Sequence, residues 1–294
     1  MNNHTAKSAK VQLGVGEMNA PREGELKADR ATISKFVDAV YRHCNSADGY
    51  IAARAFTHCE RGWPVIFPSI KFGPDLIDAL EAAATETANM KSAAAFAPPV
   101  CLFCLNDSAK AKDIAAGPVI TVDMDQSPDE GKAKLLGVLG MATIIVASGG
   151  KWKDPVSGRQ QDKLHLYWRL KKPAANPDEL EKLRRARDLA AVFVGGDGSN
   201  NPISHPLRCP GSWHTKTDTP RLCSIVGGNT DSELYLDDAL GRLEKAAGHL
   251  LADRGKRQGV EPREGFKTPR AWTAQSLDEV AQILSSQVWE WDEW

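Results

Sequence analysis

Hydrophobic residues first show a regular pattern at residues 32–45. Apolar side chains recur there at spacings of three and four, which places them on one face of a helix. Two short strands are predicted at residues 50–57 and 65–67, and a long alanine-rich helix follows Pro74. The amino-terminal part of the fold therefore mixes helices with short strands.

Apolar strands and amphipathic helices then alternate along the chain. The run VCLFCL at residues 100–105 is wholly apolar, as expected of a buried central strand. We predict further strands at residues 119–125, 142–148, 164–170 and 221–226, and helices at residues 128–139, 177–194 and 234–251. Because strands alternate with helices, the pattern predicts an α/β or α+β sheet.

The two ends of the chain differ from the middle in composition. Residues 1–30 are polar with little periodicity and are expected to form a flexible amino-terminal arm. Residues 31–252 carry the predicted strands and long helices and are expected to form the folded domain. Residues 253–294 begin as a charged linker and end in a short helix and the acidic, aromatic tail VWEWDEW. A tail of this kind is expected to dock on a partner.

Composition and charge are those of a soluble globular protein. Of the 294 residues, 42% are hydrophobic and 26% charged, which excludes a largely disordered or collagen-like chain. No apolar run approaches the roughly 18 residues of a transmembrane helix, and the amino terminus lacks the apolar core of a secretory signal. We therefore expect a cytoplasmic protein with no membrane partner and six free cysteines. With 37 basic and 38 acidic residues, any nucleic-acid-binding surface must be local.

The first candidate for chemistry is a pair of carboxylates at the end of an apolar strand. Asp123 and Asp125 stand two residues apart, so the period of a strand points both side chains to one face. Two hard oxygen ligands on one face suit Mg²⁺ or Mn²⁺. A strand that simply enters a polar turn explains the pair equally well. The position favours a site, because the carboxyl ends of strands in α/β sheets are where ligands bind.

His165 stands within the predicted strand LHLYWRL. A lone histidine in a strand is more often a structural residue than a catalytic one. A rolling-circle nickase of the His-hydrophobe-His type needs a second histidine two residues away, and that position is Tyr167. The sequence therefore argues against a nickase.

The long polar loop before His214 carries four chemically active side chains. They are Asp197, Arg208, His214 and Lys216. Arginine binds phosphate oxygens as a fork and lysine as a point charge, while the glycines of the loop let the backbone approach a ligand closely. Most polar loops are only solvated, but this density of charged groups favours an anionic ligand.

The cysteines and the glycine motifs exclude two other kinds of site. Cys101 and Cys104 have the spacing of half a zinc site, but no second pair follows, and residues three apart on a strand point to opposite faces. We therefore expect structural burial rather than metal binding. No Gly-x-x-x-x-Gly-Lys-Ser/Thr phosphate loop is present, which excludes a recognisable P-loop motor.

Basic residues are concentrated in two segments. The first consists of Lys151, Lys153, Arg159, Lys163, Arg169, Lys171 and Lys172 and is expected to contact phosphates, with Trp152 stacking on a base. The second consists of Lys182, Arg184, Arg185 and Arg187 and is expected to be a solvated helix face.

Three segments, taken in order, resemble the motifs of the archaeo-eukaryotic primase superfamily, in the primase-polymerase branch carried by plasmids, phages and other mobile elements. The segments are VDMD, then SGG followed by LHLYW, and then GGD followed by LRCPGSWHTK, within residues 119–216. The resemblance implies an α+β fold in which residues 31–252 form an RNA-recognition-motif-like catalytic sheet beside a smaller α/β subdomain. It also implies primer synthesis from NTPs or dNTPs on a single-stranded DNA template, by two-metal nucleotidyl transfer.

The resemblance also implies roles for individual residues. Asp123, Asp125 and Asp197 would be the catalytic carboxylates and the ligands of two Mg²⁺ or Mn²⁺ ions. His165 matches the histidine that contacts the phosphates of the incoming nucleotide. The other nucleotide-binding residues would be Ser148, Arg208, His214 and Lys216.

The chain departs from the motif pattern at one place. The family runs its SGG almost directly into the histidine, whereas residues 151–163 intervene here and Lys163 stands two positions before His165. We expect the insertion to form a basic hairpin that holds the template. Its DNA-binding residues would be Lys151, Trp152, Lys153, Arg159 and Lys163.

Two other functions remain compatible with these residues. The same fold could serve as a non-catalytic DNA-binding replication initiator, although the presence of all three carboxylates argues against a decayed site. A metal-dependent nuclease would share the carboxylates but has no need of the nucleotide-binding histidine, arginine and lysine. Unwinding would come from a helicase or another replication protein, docked on the carboxyl-terminal tail.

Overall fold

The computed structural model describes residues 25–45, 49–57, 64–196, 202–217 and 219–258. Its α-helices in these ranges are α1 (Arg30–Tyr41), α2 (Leu76–Ala88), α3 (Pro128–Leu139), α4 (Pro177–Phe193) and α5 (Leu236–Gln258). The caps explain two of the starts. Asp29 accepts a hydrogen bond from the backbone N–H of Thr32 at 3.1 Å, and Asn176 accepts one from that of Glu179 at 2.9 Å.

The strands of the larger sheet are β1 (Tyr50–Ile51), β4 (Ile70–Lys71), β6 (Leu102–Phe103), β7 (Ile114–Met124), β8 (Ile144–Lys153), β9 (Gln160–Ala174), β12 (Ser224–Gly227) and β13 (Glu233–Leu234). Within the described residues their order is β12-β8-β9-β7-β6-β1-β4, and β13 pairs with β9 in parallel. The long central strands β7, β9 and β8 pair antiparallel.

The strands of a smaller antiparallel sheet are β2 (Arg54–Thr57), β3 (Pro64–Ile66), β5 (Ala94–Phe96), β10 (Trp213–His214) and β11 (Arg221–Leu222). Among the residues that the structure describes, their order is β11-β10-β5-β2-β3. The single strand predicted at residues 50–57 is therefore wrong, because β1 and β2 belong to different sheets. Ala52 and Ala53, between them, are buried in different cores.

Each face of the larger sheet buries its own core. Ile120, Val122 and Leu166 pack with residues of α3, α4 and α5 on one face. Val119, Val146 and Tyr167 pack with α1, α2 and the smaller sheet on the other face. The two-residue period of a strand explains this division. The mixed fold with a second, smaller sheet confirms the predicted α+β class.

Two observations concern the residues near the predicted domain boundaries. Within the predicted arm, Leu26 bonds to Asn89, Ala28 bonds to Thr85, and the oxygen of Lys27 accepts from Trp213 at 2.7 Å. Helix α5 continues past the boundary predicted at residue 252. The rest of the predicted arm and tail lies outside the described residues. Among the described helices, none has the length and apolar character needed to cross a membrane.

Two predicted basic surface residues are instead buried. Arg169 is fully buried and bonds to Glu233 at 2.6 Å and to the oxygen of Ala39 at 2.6 Å, which ties β9 to β13 and α1. Arg187 is also buried and donates to the oxygen of Ile203 at 3.0 Å. Their residue type suggested solvent exposure, but each occupies an inward position of its element.

Candidate active site

The two predicted metal-binding carboxylates lie at the end of β7. Asp123 is the cross-strand partner of His165 on β9, and its Oδ1 lies 3.6 Å from Nε2 of His165. The Asp123 side chain is 15% exposed, and its buried Oδ1 has no hydrogen-bond partner among the described residues. Asp125 follows the strand and is about half exposed. The shared face predicted from the spacing is thus compatible with a common site.

Burial and like charge act together on Asp123. Desolvation, followed by the nearby charge of Asp125, raises the pKa of Asp123 to about 7, although Arg208 and Lys163 oppose the shift. Asp123 thus has a buried carboxylate oxygen that no donor among the described residues satisfies, and a second carboxylate, that of Asp125, lies nearby. A divalent cation would satisfy both acceptors. The chemistry of the two residues therefore fits Mg²⁺ or Mn²⁺.

Lys163 lies against these carboxylates. Its Nζ is 2.9 Å from Oδ1 of Asp125. It stands two residues before His165 on β9, so the two side chains share a face of the sheet. The sequence predicted Lys163 as part of the template-binding hairpin. In the structure it lies at the inner end of that hairpin, where it contacts Asp125.

His165 is buried beneath the site and is neutral at pH 7. Desolvation, with smaller contributions from Arg208 and His205, lowers its pKa to about 3. Its Nδ1 lies 3.4 Å from the hydroxyl oxygen of Tyr167, and the two rings meet edge to face. Because the imidazole is neutral, its proximity to Asp123 is not a charged ion pair.

Ser148 and Arg208 are joined across 60 positions of the sequence. Nη1 of Arg208 donates to the main-chain oxygen and to the hydroxyl of Ser148, both at 2.9 Å. Ser148 is 1% exposed on β8. The Ser148 hydroxyl therefore accepts a hydrogen bond from Arg208 and keeps its guanidinium beside the site.

The two glycines after Ser148 allow close packing over the site. Gly149 has a φ of +80°, and a Cβ there would lie 3.0 Å from Cβ of His214. A Cβ at Gly150 would lie 2.9 Å from Cδ of Lys163 and 3.4 Å from Nη1 of Arg208. Larger residues would displace the basic side chains, which explains glycine at both positions.

His214 stands on β10 of the smaller sheet and faces the same group of residues. It is 5% exposed, and its buried Nδ1 has no hydrogen-bond partner among the described residues. Its pKa is lowered to about 4, first by desolvation and then by nearby cations. Those cations are Arg208, Lys216, Arg221 and Lys163. The site thus lies between the two sheets and is strongly basic around its carboxylates.

The predicted basic hairpin is confirmed as β8 and β9. Its cross-strand partners are Lys151 and Asp162, Trp152 and Gln161, and Lys153 and Gln160. Nζ of Lys151 is 2.5 Å from Asp162, and Arg159 lies 3.7 Å from Asp129 of α3. These acidic partners offset part of the positive charge that the sequence suggested.

Three further predictions concern Asp197, the cysteine pair and the second basic cluster. Asp197 lies outside the described residues, and within them no group of three or more metal-ligating side chains occurs. Cys101 is buried, as expected, but Cys104 is exposed, so the predicted burial is wrong for the second cysteine of the pair. In the second basic cluster, Lys182 pairs with Asp237 and Arg185 with Glu244, as expected of a solvated helix face.

Two residues near the site were missed by the sequence reasoning. Tyr167 contacts His165, and its place two residues away on the same strand was a usable signal. Arg221 is the cross-strand partner of His214 on β11. Its position depends on the pairing of β10 with β11, for which the sequence offered only the start of a predicted strand.

No protein-family model matches the sequence, and no curated protein is similar to it in sequence. Solved structures do resemble it. The archaeo-eukaryotic primase domain of the cyanophage S-2L primase-polymerase matches with a TM-score of 0.52 and 14% identity, over 74% of this chain and 100% of that one. The catalytic domain of the primase RepB′, solved with initiator DNA, matches with a TM-score of 0.48 and 9% identity, over 79% and 98% of the two chains. The first of these matches shows that the chain shares the fold of that archaeo-eukaryotic primase domain, as its motifs predicted.

Proposed function

We propose that the protein is a template-dependent primase-polymerase that makes primers for the replication of a mobile element. The observation that supports this most is the meeting of carboxylates and phosphate-binding side chains at one place. Asp123 and Asp125 lie on the same face as His165 and Lys163. A hydrogen bond to Ser148 holds Arg208 beside that face. Nucleotidyl transfer needs this combination, because it handles a divalent cation and a polyanion together.

Asp123 and Asp125 would hold the divalent cations, with Asp197 expected as the third ligand. Two bound Mg²⁺ or Mn²⁺ ions supply a clamp on the attacking and leaving oxygens of an in-line displacement. The buried Oδ1 of Asp123, which lacks a donor, is the acceptor that gains most from such a cation. Lys163 on Asp125 supplies positive charge at the same carboxylates.

The incoming NTP or dNTP would bind through Arg208, His165, His214 and Lys216. Arg208 offers a planar fork that suits phosphate oxygens, and Ser148 restricts its orientation. Neutral His165 can donate a single hydrogen bond without adding charge. Positioning and electrostatic stabilisation account for most of the catalysis in such transfers.

The single-stranded template would run along the hairpin of β8 and β9. Trp152 is the cross-strand partner of Gln161 on this hairpin and can stack on a base of the template. Lys151 and Lys153 stand on β8 of the same hairpin and can contact the phosphates of the template. A helicase or other replication protein would bind the carboxyl-terminal tail at residues 253–294.

A primer-synthesis assay tests this function. The full chain is incubated with a single-stranded template and labelled NTPs or dNTPs, offered separately with Mg²⁺ or Mn²⁺, and Asp123→Asn is the matched inactive control. Template-dependent extension that is absent in the control supports the proposal. Template degradation without nucleotides would indicate the nuclease, and tight DNA binding with no incorporation would indicate the non-catalytic initiator.

A further inference from the structure

Gln161 links the hairpin of β8 and β9 to the segment that carries Asp125. Its Oε1 accepts a hydrogen bond from the backbone N–H of Asp129, at the start of α3, at 3.2 Å. The function proposed above makes no use of this contact. We propose that Gln161 is a positioning residue that couples template on the hairpin to the binding of a divalent cation at Asp125. The inference rests on the proposed function, because it concerns the template and the metal ions of the same site.

The outer part of the hairpin has no third strand beside it among the described residues. β12 pairs with β8 as far as Ala147, and β7 pairs with β9 from Leu164 onward. The cross-strand pairs from Lys151 and Asp162 outward therefore extend beyond the rest of the sheet. Side-chain contacts, rather than backbone pairing, connect this part of the hairpin to the body of the fold.

Three side-chain contacts reach the short segment between β7 and α3. Nζ of Lys163 lies 2.9 Å from Oδ1 of Asp125. Gln161 accepts from the N–H of Asp129, and Nη2 of Arg159 lies 3.7 Å from Oδ2 of the same aspartate. Every second residue at this end of the hairpin thus contacts the segment that begins with the proposed metal ligand. A displacement of the hairpin therefore acts on the backbone that holds Asp125.

Gln161 also supplies a cap that α3 otherwise lacks. Ser127 precedes the helix and is of a type that usually caps one, but its side chain makes no capping hydrogen bond. Its φ is +43°, and it is the only residue other than glycine with a positive φ in the described part of the chain. Such a conformation persists where surrounding contacts fix it. The bond from the N–H of Asp129 to Gln161 takes the place of the cap and holds the turn that follows Asp125.

The coupling follows from the entropy that each ligand loses on binding. Asp125 is about half exposed, so a cation must order its side chain and the turn behind it. Template bound to the hairpin would order the hairpin, and Gln161 would extend that order to the turn. The cation then loses less conformational entropy when it binds. By linkage, the cation strengthens template binding by the same factor.

The test compares Mn²⁺ affinity with and without a saturating oligothymidylate strand, by calorimetry on the full chain. Gln161→Met removes the acceptor at similar side-chain length, and Gln161→Glu keeps an acceptor oxygen. Gln160→Met is the matched control, because Gln160 is the exposed neighbour on the same strand. A titration of the strand alone corrects for Mn²⁺ that the DNA binds by itself.

We expect the strand to raise the Mn²⁺ affinity of the unaltered chain about fivefold or more. This enhancement should fall about three- to tenfold in Gln161→Met, because one hydrogen bond transmits it. It should persist in Gln161→Glu and in Gln160→Met. A residue that only stabilised α3 would lower the melting temperature without changing the enhancement.

Hydrogen exchange gives a second readout that needs no metal. The amide of Asp129 donates to Gln161, so the bound strand should slow its exchange in the unaltered chain and in Gln160→Met. In Gln161→Met the strand should leave that exchange unchanged. The unaltered chain alone can therefore contradict the inference, even if a variant fails to fold.

The remaining outcomes separate this inference from the proposed function. If the enhancement is equal in Gln161→Met and in the unaltered chain, Gln161 is a structural residue and the inference is overturned. If the strand changes neither Mn²⁺ affinity nor exchange at Asp129 in the unaltered chain, the hairpin and the metal site are independent and only the inference is wrong. If the unaltered chain binds neither Mn²⁺ nor the strand, the proposed function itself fails. Thermal unfolding of each variant verifies that the fold is kept.

Discussion

Arg208 donates from a single nitrogen to both the carbonyl and the hydroxyl oxygen of Ser148, at 2.9 Å each. The same nitrogen would lie 3.4 Å from a Cβ at Gly150. Arg208 also influences the pKa values of Asp123, His165 and His214, which places its charge near all three. Ser148 therefore contributes to the site by orienting the guanidinium of Arg208, whose charge lies near the other polar groups of the site.

Ser148→Ala should weaken nucleotide binding because Arg208 loses one of its two anchors. The main-chain bond remains, so we expect an affinity loss of about three- to tenfold, smaller than the loss in Arg208→Ala or His165→Ala. Calorimetry with a nucleotide and Mg²⁺ measures each affinity.

A double-mutant cycle separates this positioning role from direct contact with the phosphates. If Ser148 acts through Arg208, Ser148→Ala has no further effect on affinity in the Arg208→Ala background. Additive losses would mean that Ser148 contacts the nucleotide itself. Unchanged affinity in both single variants would make Arg208 a structural residue.

The sequence predicted the centre of the larger sheet well, and its polar extensions poorly. Strands predicted at residues 119–125 and 164–170 correspond to β7 and β9, because the buried middle of each is strongly apolar. Both strands are longer than predicted. The polar end of β9 continues as the hairpin with β8, where backbone pairing rather than burial maintains the strand, so hydrophobic pattern alone gives no signal.

The site was predictable wherever its geometry is local. The shared face of Asp123 and Asp125 follows from the strand period, as does that of Lys163 and His165. The contact between Ser148 and Arg208 depends on how a loop 60 positions away packs on β8. The pairing of Arg221 with His214 depends on the register of two short strands, which propensities do not define.

Asp123→Ala and Asp125→Ala should each abolish nucleotide addition while leaving the fold intact. Each removes a proposed metal ligand, and losses of about 10² to 10⁴ in rate are typical of groups that act in the transition state. Primer extension measures the rate, and Mn²⁺ titration measures metal affinity. Full activity in either variant would contradict the metal assignment, and Lys182→Ala on α4 is the surface control.

Acidification should destabilise the protein through its two buried histidines. The folded pKa is about 3 for His165 and about 4 for His214, against about 6.5 in an unfolded chain. Below pH 6.5 the unfolded chain therefore binds protons that the native state excludes, so stability falls as pH drops from 6.5 through 4. Arg208, Lys216, Arg221 and Lys163 surround His214 and act in the same direction.

His214→Gln isolates one of these contributions. Urea unfolding from pH 7.5 to pH 4 should show a smaller loss of stability in the variant than in the unaltered chain, by roughly 1–3 kcal/mol over this range. Asp123 has an opposite shift and is unchanged in both proteins, so it cancels in the comparison. Parallel stability curves for the two proteins would mean that His214 is already accessible to protons in the folded state.

Neutralising Lys151, Lys153 and Arg159 together should weaken binding of single-stranded template and flatten its salt dependence. Each phosphate contact contributes about 0.7 to the slope of log affinity against log salt on single strands, so three contacts would remove about 2 from it. Lys151 is paired with Asp162 and Arg159 approaches Asp129, so the change should lie between about 0.7 and 2. Nucleotide affinity should hardly change.

Fluorescence anisotropy with a labelled single strand across a salt series measures that slope. Trp152→Ala should lower affinity with no change in slope, because stacking on a base releases no counterions. The matched control neutralises Lys182, Arg184 and Arg185 on α4, whose charges are already paired with Asp237, Glu181 and Glu244. Equal slopes and affinities for the hairpin variant and the unaltered chain would make the insertion a solvated hairpin, and the template would have to bind elsewhere.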